Sequence, residues 1–152
     1  MKYLLYFLLA TIISVNAYEK KNSKGEIIAL HFKDSDFKEE HIKTILNSKK
    51  LKELKLLRCK LNDKDGEFLL KIKSLKRLII SGNDFTDDFI SKIKIENLTF
   101  IHLSDNKKIS NRGIIALIKS NKKLNTICAY NTMVDKDVSQ HVREGINISF
   151  SP

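Results

Sequence analysis

The stretch of sequence that decides the fold is LKELKLLRCKL, residues 51–61. Its apolar residues Leu54 and Leu56 alternate with polar neighbours, which is the period-two pattern of a half-buried strand. The small residue Cys59 then stands where a sharp turn after the strand must satisfy backbone groups that have left the sheet. Because the same spacing recurs along the chain, this segment is one unit of a repeat.

The repeat occurs five times, with three close copies in the middle and a weaker copy on each side. The copies begin at Ile27, Leu51, Leu75, Leu98 and Leu124. The turn position is held by Ser35, Cys59, Asn83, Asn106 and Thr132. Successive starts are 24, 24, 23 and 26 residues apart. After each turn the apolar residues take helical spacing, as at Phe68, Leu69 and Ile72, so each repeat is predicted to hold one strand and one helix.

On these motifs the chain resembles the leucine-rich-repeat superfamily, and more closely its ribonuclease-inhibitor-like and cysteine-containing classes. The resemblance covers nearly all of residues 18–152. It implies an α/β fold: a short right-handed solenoid, with a curved parallel sheet on the concave side and helices on the convex side. It also implies a non-enzymatic protein-binding module that uses the concave face.

Signals for helix starts and for the ends of the stack accompany the repeats. We expect helix caps at Asp36, Asp63, Thr86 and Ser110. The acidic pairs Glu39-Glu40 and Asp87-Asp88 belong in first turns, where the helix dipole favours negative charge. Residues 135–152 are predicted to cap the C-terminal end, with a helix over 135–145 that turns Val138 and Val142 inward and a last short strand around Ile148. The N-terminal end has only the polar segment 18–25, so it is either weakly capped or paired with something else.

The N-terminus has the pattern of a secretory signal, with Lys2, an apolar run over residues 3–15 and small residues before Ala17. We place cleavage after Ala17, which predicts a secreted single domain over residues 18–152; an uncleaved membrane anchor is the alternative. The full chain carries a net charge of +10, and removal of Lys2 with the signal leaves +9. This charge favours anionic partners, whereas nucleic acid does not fit the export route.

The register of the repeats predicts which side chains project from the concave face. This predicted face combines aromatic, aliphatic and arginine side chains, the composition of a protein interface. Its members are Lys55, Leu57, Arg58, Arg77, Ile79, Phe100, His102, Asp105, Cys128 and Tyr130. The alternative is an unexceptional sheet surface, with the partner on a loop edge.

A second candidate surface is a basic edge, built from lysines that recur where each helix ends and the next strand begins. Its members are Lys49, Lys50, Lys71, Lys73, Lys76, Lys92, Lys94, Lys119, Lys122 and Lys123. Such an edge would suit an adhesin-like binder of anionic glycans or membrane surfaces. Alternatively, the lysines stabilise helix C-termini through the dipole, by about 0.3 to 1 kcal/mol each, and keep the surface soluble.

The residues that could carry chemistry are few. His102 and Cys128 fall in one column on adjacent strands, where an imidazole could activate a thiol, but no third catalytic group is legible, so we expect no enzyme activity. Cys59 and Cys128 lie three repeats apart, roughly 14 Å at the usual strand spacing, which is too far for a disulfide. The four histidines have no metal-ligand spacing, so no metal or cofactor is expected.

Overall fold

The structure, a computed structural model, describes residues 17–34 and 37–151. Its strands are β1 Ala17–Lys21, β2 Ile27–Lys33, β3 Glu53–Leu57, β4 Arg77–Ile79, β5 Phe100–His102, β6 Thr126–Cys128 and β7 Asn147–Ser149. Its α-helices are α1 Glu39–Asn47, α2 Asp87–Ile90 and α3 Asn111–Ser120, and its 3-10 helices are η1 Asp65–Lys71 and η2 Lys136–His141. The predicted signal before Ala17, the turn residue Ser35 and the predicted cap Asp36 lie outside the described residues.

The strands form one seven-stranded sheet in chain order, in which β2 to β7 are parallel. Strand β3 shows how the sequence builds the sheet, because Leu54 and Leu56 are fully buried while Glu53, Lys55 and Leu57 are half-buried. The buried side chains pack with those of the helices into a single apolar core. The predicted fold class is therefore confirmed as a short solenoid of strand-and-helix repeats. We call the sheet surface that the helices leave uncovered the open face.

An N-terminal hairpin precedes the first repeat. Strand β1 pairs antiparallel with β2, placing Tyr18 opposite His31. The connecting turn is held by the side chain of Asn22, whose Oδ1 accepts from the backbone N–H of Lys24 and of Glu26, both at 3.0 Å. Gly25 supplies the positive φ of 77° that the turn needs. The segment that the sequence left as weakly capped or paired is thus paired with the chain's own second strand.

Buried asparagines hold the turns between strands and helices, as the repeat pattern predicts. Asn106 is fully buried; its amide donates to Leu103 O at 2.7 Å and to Ile80 O at 3.0 Å, while its Oδ1 accepts from Phe85 N at 3.1 Å. Each asparagine therefore links its own turn to the preceding repeat. Cys59 holds this position in the repeat before that of Asn83, and its thiol donates to the backbone carbonyls of Phe32 and Leu57, both at 3.6 Å.

The prediction of one helix in every repeat needs a correction, because the helical segments differ in type and length. Residues 65–71 form a 3-10 helix, and α2 has only four residues. The repeat over residues 98–123 is the longest at 26 residues and holds the ten-residue α3, whereas the 23-residue repeat over 75–97 holds α2. Strands β4 and β5 of these two repeats have three residues each, so the difference in repeat length falls on the helical part.

Two of the predicted helix caps are confirmed and one is wrong. Thr86 accepts a hydrogen bond from Asp88 N at 3.2 Å, and Ser110 accepts one from Arg112 N at 3.3 Å. Asp63 does not cap η1, which has no side-chain cap; its carboxylate instead accepts from the Thr86 hydroxyl at 2.6 Å and from Thr86 N at 2.9 Å. Neighbouring repeats are therefore tied together through their caps.

The C-terminal cap is close to the prediction. The helical part is the 3-10 helix η2 rather than a helix over the whole of 135–145, and within it Val138 is fully buried. Strand β7 adds a sixth parallel strand, in which Ile148 pairs with Ile127 and packs against the core. None of the helices within residues 17–34 and 37–151 has the length and apolar character that a membrane crossing requires.

Candidate functional site

The open face carries its side chains in the columns that the sequence predicts. The central column consists of His31, Lys55, Ile79, His102 and Cys128. The column beside it consists of Ala29, Glu53, Arg77, Phe100 and Thr126. Strand register therefore brings most of the predicted face together on one surface. The binding role of these residues stays a prediction.

Arg77 on the open face contacts side chains of both neighbouring strands. Its Nε donates to Glu53 Oε2 at 3.1 Å, and its guanidinium carbon lies 3.9 Å from the centroid of the Phe100 ring. The guanidinium is thus held between a carboxylate on β3 and an aromatic face on β5. Because the Arg77 side chain is still 46% exposed, it remains available to a partner.

The same cluster continues toward the N-terminal hairpin. Glu53 Oε1 lies 2.5 Å from His31 Nε2, and the His31 ring is 4.9 Å from the ring of Tyr18. Tyr18 is 50% exposed, so a large amphipathic side chain stands at the end of the open face. The sequence analysis missed this residue because it treated the segment 18–25 as a polar cap. The signal that could have found Tyr18 is the alternation of side chains along strand β1, which puts Tyr18 on the same face as its partner His31.

The exposure of the predicted apolar residues is uneven. Tyr130 is 39% exposed, and Leu57 and Phe100 are half-buried, so all three can contact a partner. Ile79 is corrected: it is only 8% exposed, because its column places it between the longer side chains of Lys55 and His102. Among the described residues, the half-buried Lys55 ammonium has no ion-pair or hydrogen-bond partner.

The residues that follow the strands share a backbone conformation that the sequence did not reveal. Their φ values are all positive: Asp34 50°, Arg58 52°, Gly82 69°, Asp105 62° and Asn131 55°. Two pairs of these residues are hydrogen-bonded to each other, Asp34 with Arg58 and Asp105 with Asn131. Arg58 donates to both carboxylate oxygens of Asp34 at 2.6 and 2.8 Å, and Asn131 donates to Asp105 at 2.6 Å. The predicted face residues Arg58 and Asp105 are therefore already engaged within the protein.

Glycine stands between these two pairs for a steric reason. A Cβ atom on Gly82 would lie 2.6 Å from Arg58 Cγ, and its φ is positive. The arginine stem therefore fills the space that a side chain at position 82 would occupy. The hydrogen bond from Arg58 also lowers the pKa of the Asp34 carboxyl, while the same contact raises the pKa of Arg58.

His102 and Cys128 are neighbours in register, but their electrostatics work against nucleophilic chemistry. Burial raises the pKa of the Cys128 thiol, an effect that the nearby Arg77 charge partly offsets. Burial also lowers the pKa of His102, whose Nε2 lies 2.8 Å from the Ser104 hydroxyl. Both shifts disfavour a thiolate and imidazolium pair, which is the reactive form of such a site. No group of His, Cys, Asp and Glu within the described part of the chain is arranged to hold a metal ion.

Comparison with known proteins agrees with this geometry. A family model described as leucine rich repeat matches residues 71–92 and 94–117. A chain of the crystal structure of the Rad7 and Elc1 complex in yeast superposes with a TM-score of 0.67 at 20% identity over 81% of this chain. This chain spans 32% of the length of that one, and 12 chains of solved structures match in total. No curated protein sequence matches. With its repeat motif, its stacked parallel strands and a family model that matches two of its repeats, the chain has a leucine-rich-repeat fold.

Proposed function

We propose that this chain is a secreted protein-binding module that docks its partner on the open face of the sheet. The observation that carries the proposal is the cluster in which Arg77 is held against Phe100 and Glu53 while nearly half of its side chain stays exposed. Arginine and aromatic residues supply a large share of the binding energy in protein interfaces. The fold supports this use, since the Rad7 and Elc1 structure is itself a complex of two proteins.

The cluster is organised before a partner arrives. Holding a long side chain in one rotamer normally costs about 0.5 to 1.5 kcal/mol when a complex forms. The contacts of Arg77 with Glu53 and Phe100 already restrict this side chain in the free protein, so less of that cost remains when a complex forms. A partner therefore meets an arginine and aromatic pair that is already in contact in the free protein.

Export of the protein is the second part of the proposal. It is supported by the sequence of residues 1–17, whose basic start, apolar run and small-residue exit match a secretory signal. Expression in a cell that secretes proteins tests it. The medium should contain a protein whose N-terminal residue is Tyr18, and removal of residues 1–17 should retain the protein in the cell. An intact Met1 on the exported chain would contradict cleavage.

A site-directed photo-crosslinker tests the binding face. A photoreactive phenylalanine analogue at Tyr130 should capture the partner, whereas the same analogue at Met133, which is 65% exposed in the turn region beyond β6, should not. The captured protein then serves as the ligand in affinity measurements. Arg77→Ala and Phe100→Ala should each weaken its binding at least tenfold, with the exposed Arg112→Ala as the control. Unchanged affinity in both variants would contradict the proposal.

A further inference from the structure

In the structure, the lysines of the basic edge lie on neighbouring segments and form one continuous surface. The segments that precede strands β3 to β7 are stacked by backbone hydrogen bonds, from Lys76 N to Lys52 O at 2.8 Å, from Thr99 N to Lys76 O at 2.9 Å and from Asn125 N to Thr99 O at 3.1 Å. Parallel strands begin at the same edge of a sheet, so these segments lie side by side. We call these five segments rows; they are residues 47–52, 70–76, 91–99, 119–125 and 143–146.

Charge is distributed very unequally between the two edges of the sheet. The five segments contain twelve Lys or Arg residues, since Lys52 and Arg143 extend the basic edge, and two acidic residues, Glu96 and Glu144. That surplus equals the formal net charge of the whole chain, +10. The opposite edge, where the strands end, is close to balanced, because its aspartates pair with cations such as Arg58, Lys108 and Arg112. The cationic surplus is therefore a property of one edge.

Helix stabilisation accounts for a minority of these lysines. The last turns of α1 and α2 contain no basic residue, whereas the last turn of α3 contains Lys119 and that of η1 contains Lys71. Lys73 donates to two backbone carbonyls at 2.7 and 3.1 Å, and Arg143 donates to carbonyls at the end of α3. Within the described residues, no partner is present for the ammonium groups of Lys49, Lys50, Lys52, Lys76, Lys92, Lys94 and Lys122.

The unpartnered lysines repel one another in the free protein. Adjacent rows are about 4.8 Å apart, the spacing of neighbouring strands, which is shorter than the Debye length of about 8 Å at physiological salt. Mutual repulsion is therefore only partly screened. An anion that spans several rows relieves it at every row that it contacts, so binding energy accumulates along the edge.

The shape and composition of the edge indicate the class of anion. The exposed large apolar side chains of the described residues are Tyr18, Tyr130 and Met133, and none of them lies on the basic edge. Insertion into a membrane surface relies on such apolar anchors, and binding of single-stranded nucleic acid relies on aromatic stacking. Five rows span about 19 Å at the usual strand spacing, which suits an extended chain. We propose that the basic edge binds a linear anionic polysaccharide that lies across the repeats, independently of the open face.

Heparin is the probe for this proposal, with two variants matched in charge. Lys76→Gln, Lys94→Gln and Lys122→Gln together remove one unpartnered lysine from each of three neighbouring rows. The control carries Lys60→Gln, Lys64→Gln and Lys136→Gln, which remove the same charge from exposed positions on the opposite edge. Binding of heparin to the purified proteins is measured by titration calorimetry at 0.15 M NaCl and again at 0.5 M NaCl, after circular dichroism has verified that each variant is folded.

The edge variant is expected to bind heparin at least tenfold more weakly than the unmodified protein, while the control changes by less than threefold. Binding by the unmodified protein should fall steeply at the higher salt concentration. Equal weakening in both variants would show that net charge, and not the edge, attracts the polysaccharide. Tighter binding to phosphatidylserine vesicles or to a single-stranded oligonucleotide than to heparin would overturn the proposed class of ligand.

Discussion

Replacement of Asn106 by alanine should remove a large part of the stability of this fold. The side chain is fully buried, and it provides the hydrogen bonds of Phe85 N–H and of the Leu103 carbonyl. The Ile80 carbonyl keeps a second donor in Asn83, at 3.0 Å. Two buried backbone groups therefore lose their partners in the variant. An unsatisfied buried group costs about 1 to 3 kcal/mol, so the expected loss is about 2 to 6 kcal/mol.

That loss is large against the whole free energy of unfolding, which is about 5 to 15 kcal/mol for a domain of this kind. Urea unfolding followed by circular dichroism measures it, and an unchanged dependence on denaturant indicates that unfolding exposes the same amount of surface in both proteins. Asn97→Ala is the matched control, because Asn97 is exposed and accepts one hydrogen bond from Lys123. The control should change stability by less than about 0.5 kcal/mol.

A second variant separates hydrogen bonding from loss of volume. Asn106→Asp keeps the size of the side chain and the acceptor for Phe85 N–H, but it directs a carboxylate at two carbonyl oxygens. It should destabilise the protein at neutral pH at least as much as the alanine variant does, since a buried charge without a counter-ion is costly. A loss below about 1 kcal/mol in Asn106→Ala, or a harmless Asn106→Asp, would refute this account of the turns.

Two further predictions concern titratable groups near the open face. Arg58→Ala should raise the pKa of the Asp34 carboxyl toward its ordinary value of 3.8 in an NMR titration, because the arginine hydrogen bond is the main cause of its low value. Since the folded-state pKa is depressed, the contribution of this pair to stability is present above the ordinary value and is lost as the pH falls through the folded-state pKa; an unmoved titration would contradict the assignment. Cys128 should react with iodoacetamide at pH 7 more slowly than a free cysteine, and Arg77→Ala should slow it further, because the arginine charge opposes the effect of burial on the thiol pKa. A Cys128 more reactive than free cysteine would reopen the enzymatic interpretation.

The open face and the basic edge are distinct surfaces, so the ligands that we propose for them can be distinguished experimentally. Contacts centred on Phe100 and Tyr130 bury apolar area and should persist when salt is added. Contacts of the basic edge are purely between charges and should weaken. Because Arg77 is on strand β4 whereas Lys94 lies in the segment before β5 and outside the sheet, variants at these two positions should affect different ligands.

The sequence by itself determined the repeat, the strand register and the turn chemistry. These follow from local spacing: alternation places Leu54 and Leu56 in the core, and the residue three positions after Leu103 must be able to pair with backbone groups of the turn. The predicted caps at Thr86 and Ser110 are equally local, since a cap bonds to an amide two residues away.

Only the tertiary structure decided which side chains contact each other between repeats. Asp63 bonds to Thr86 and not to its own helix, Ile79 is covered by its neighbours, and Arg77 lies over Phe100. Each of these contacts joins residues more than twenty positions apart, or depends on the side chains of adjacent strands, so no local pattern encodes it. The N-terminal hairpin is the same kind of result, because strand β1 becomes ordered by pairing with the free edge of β2.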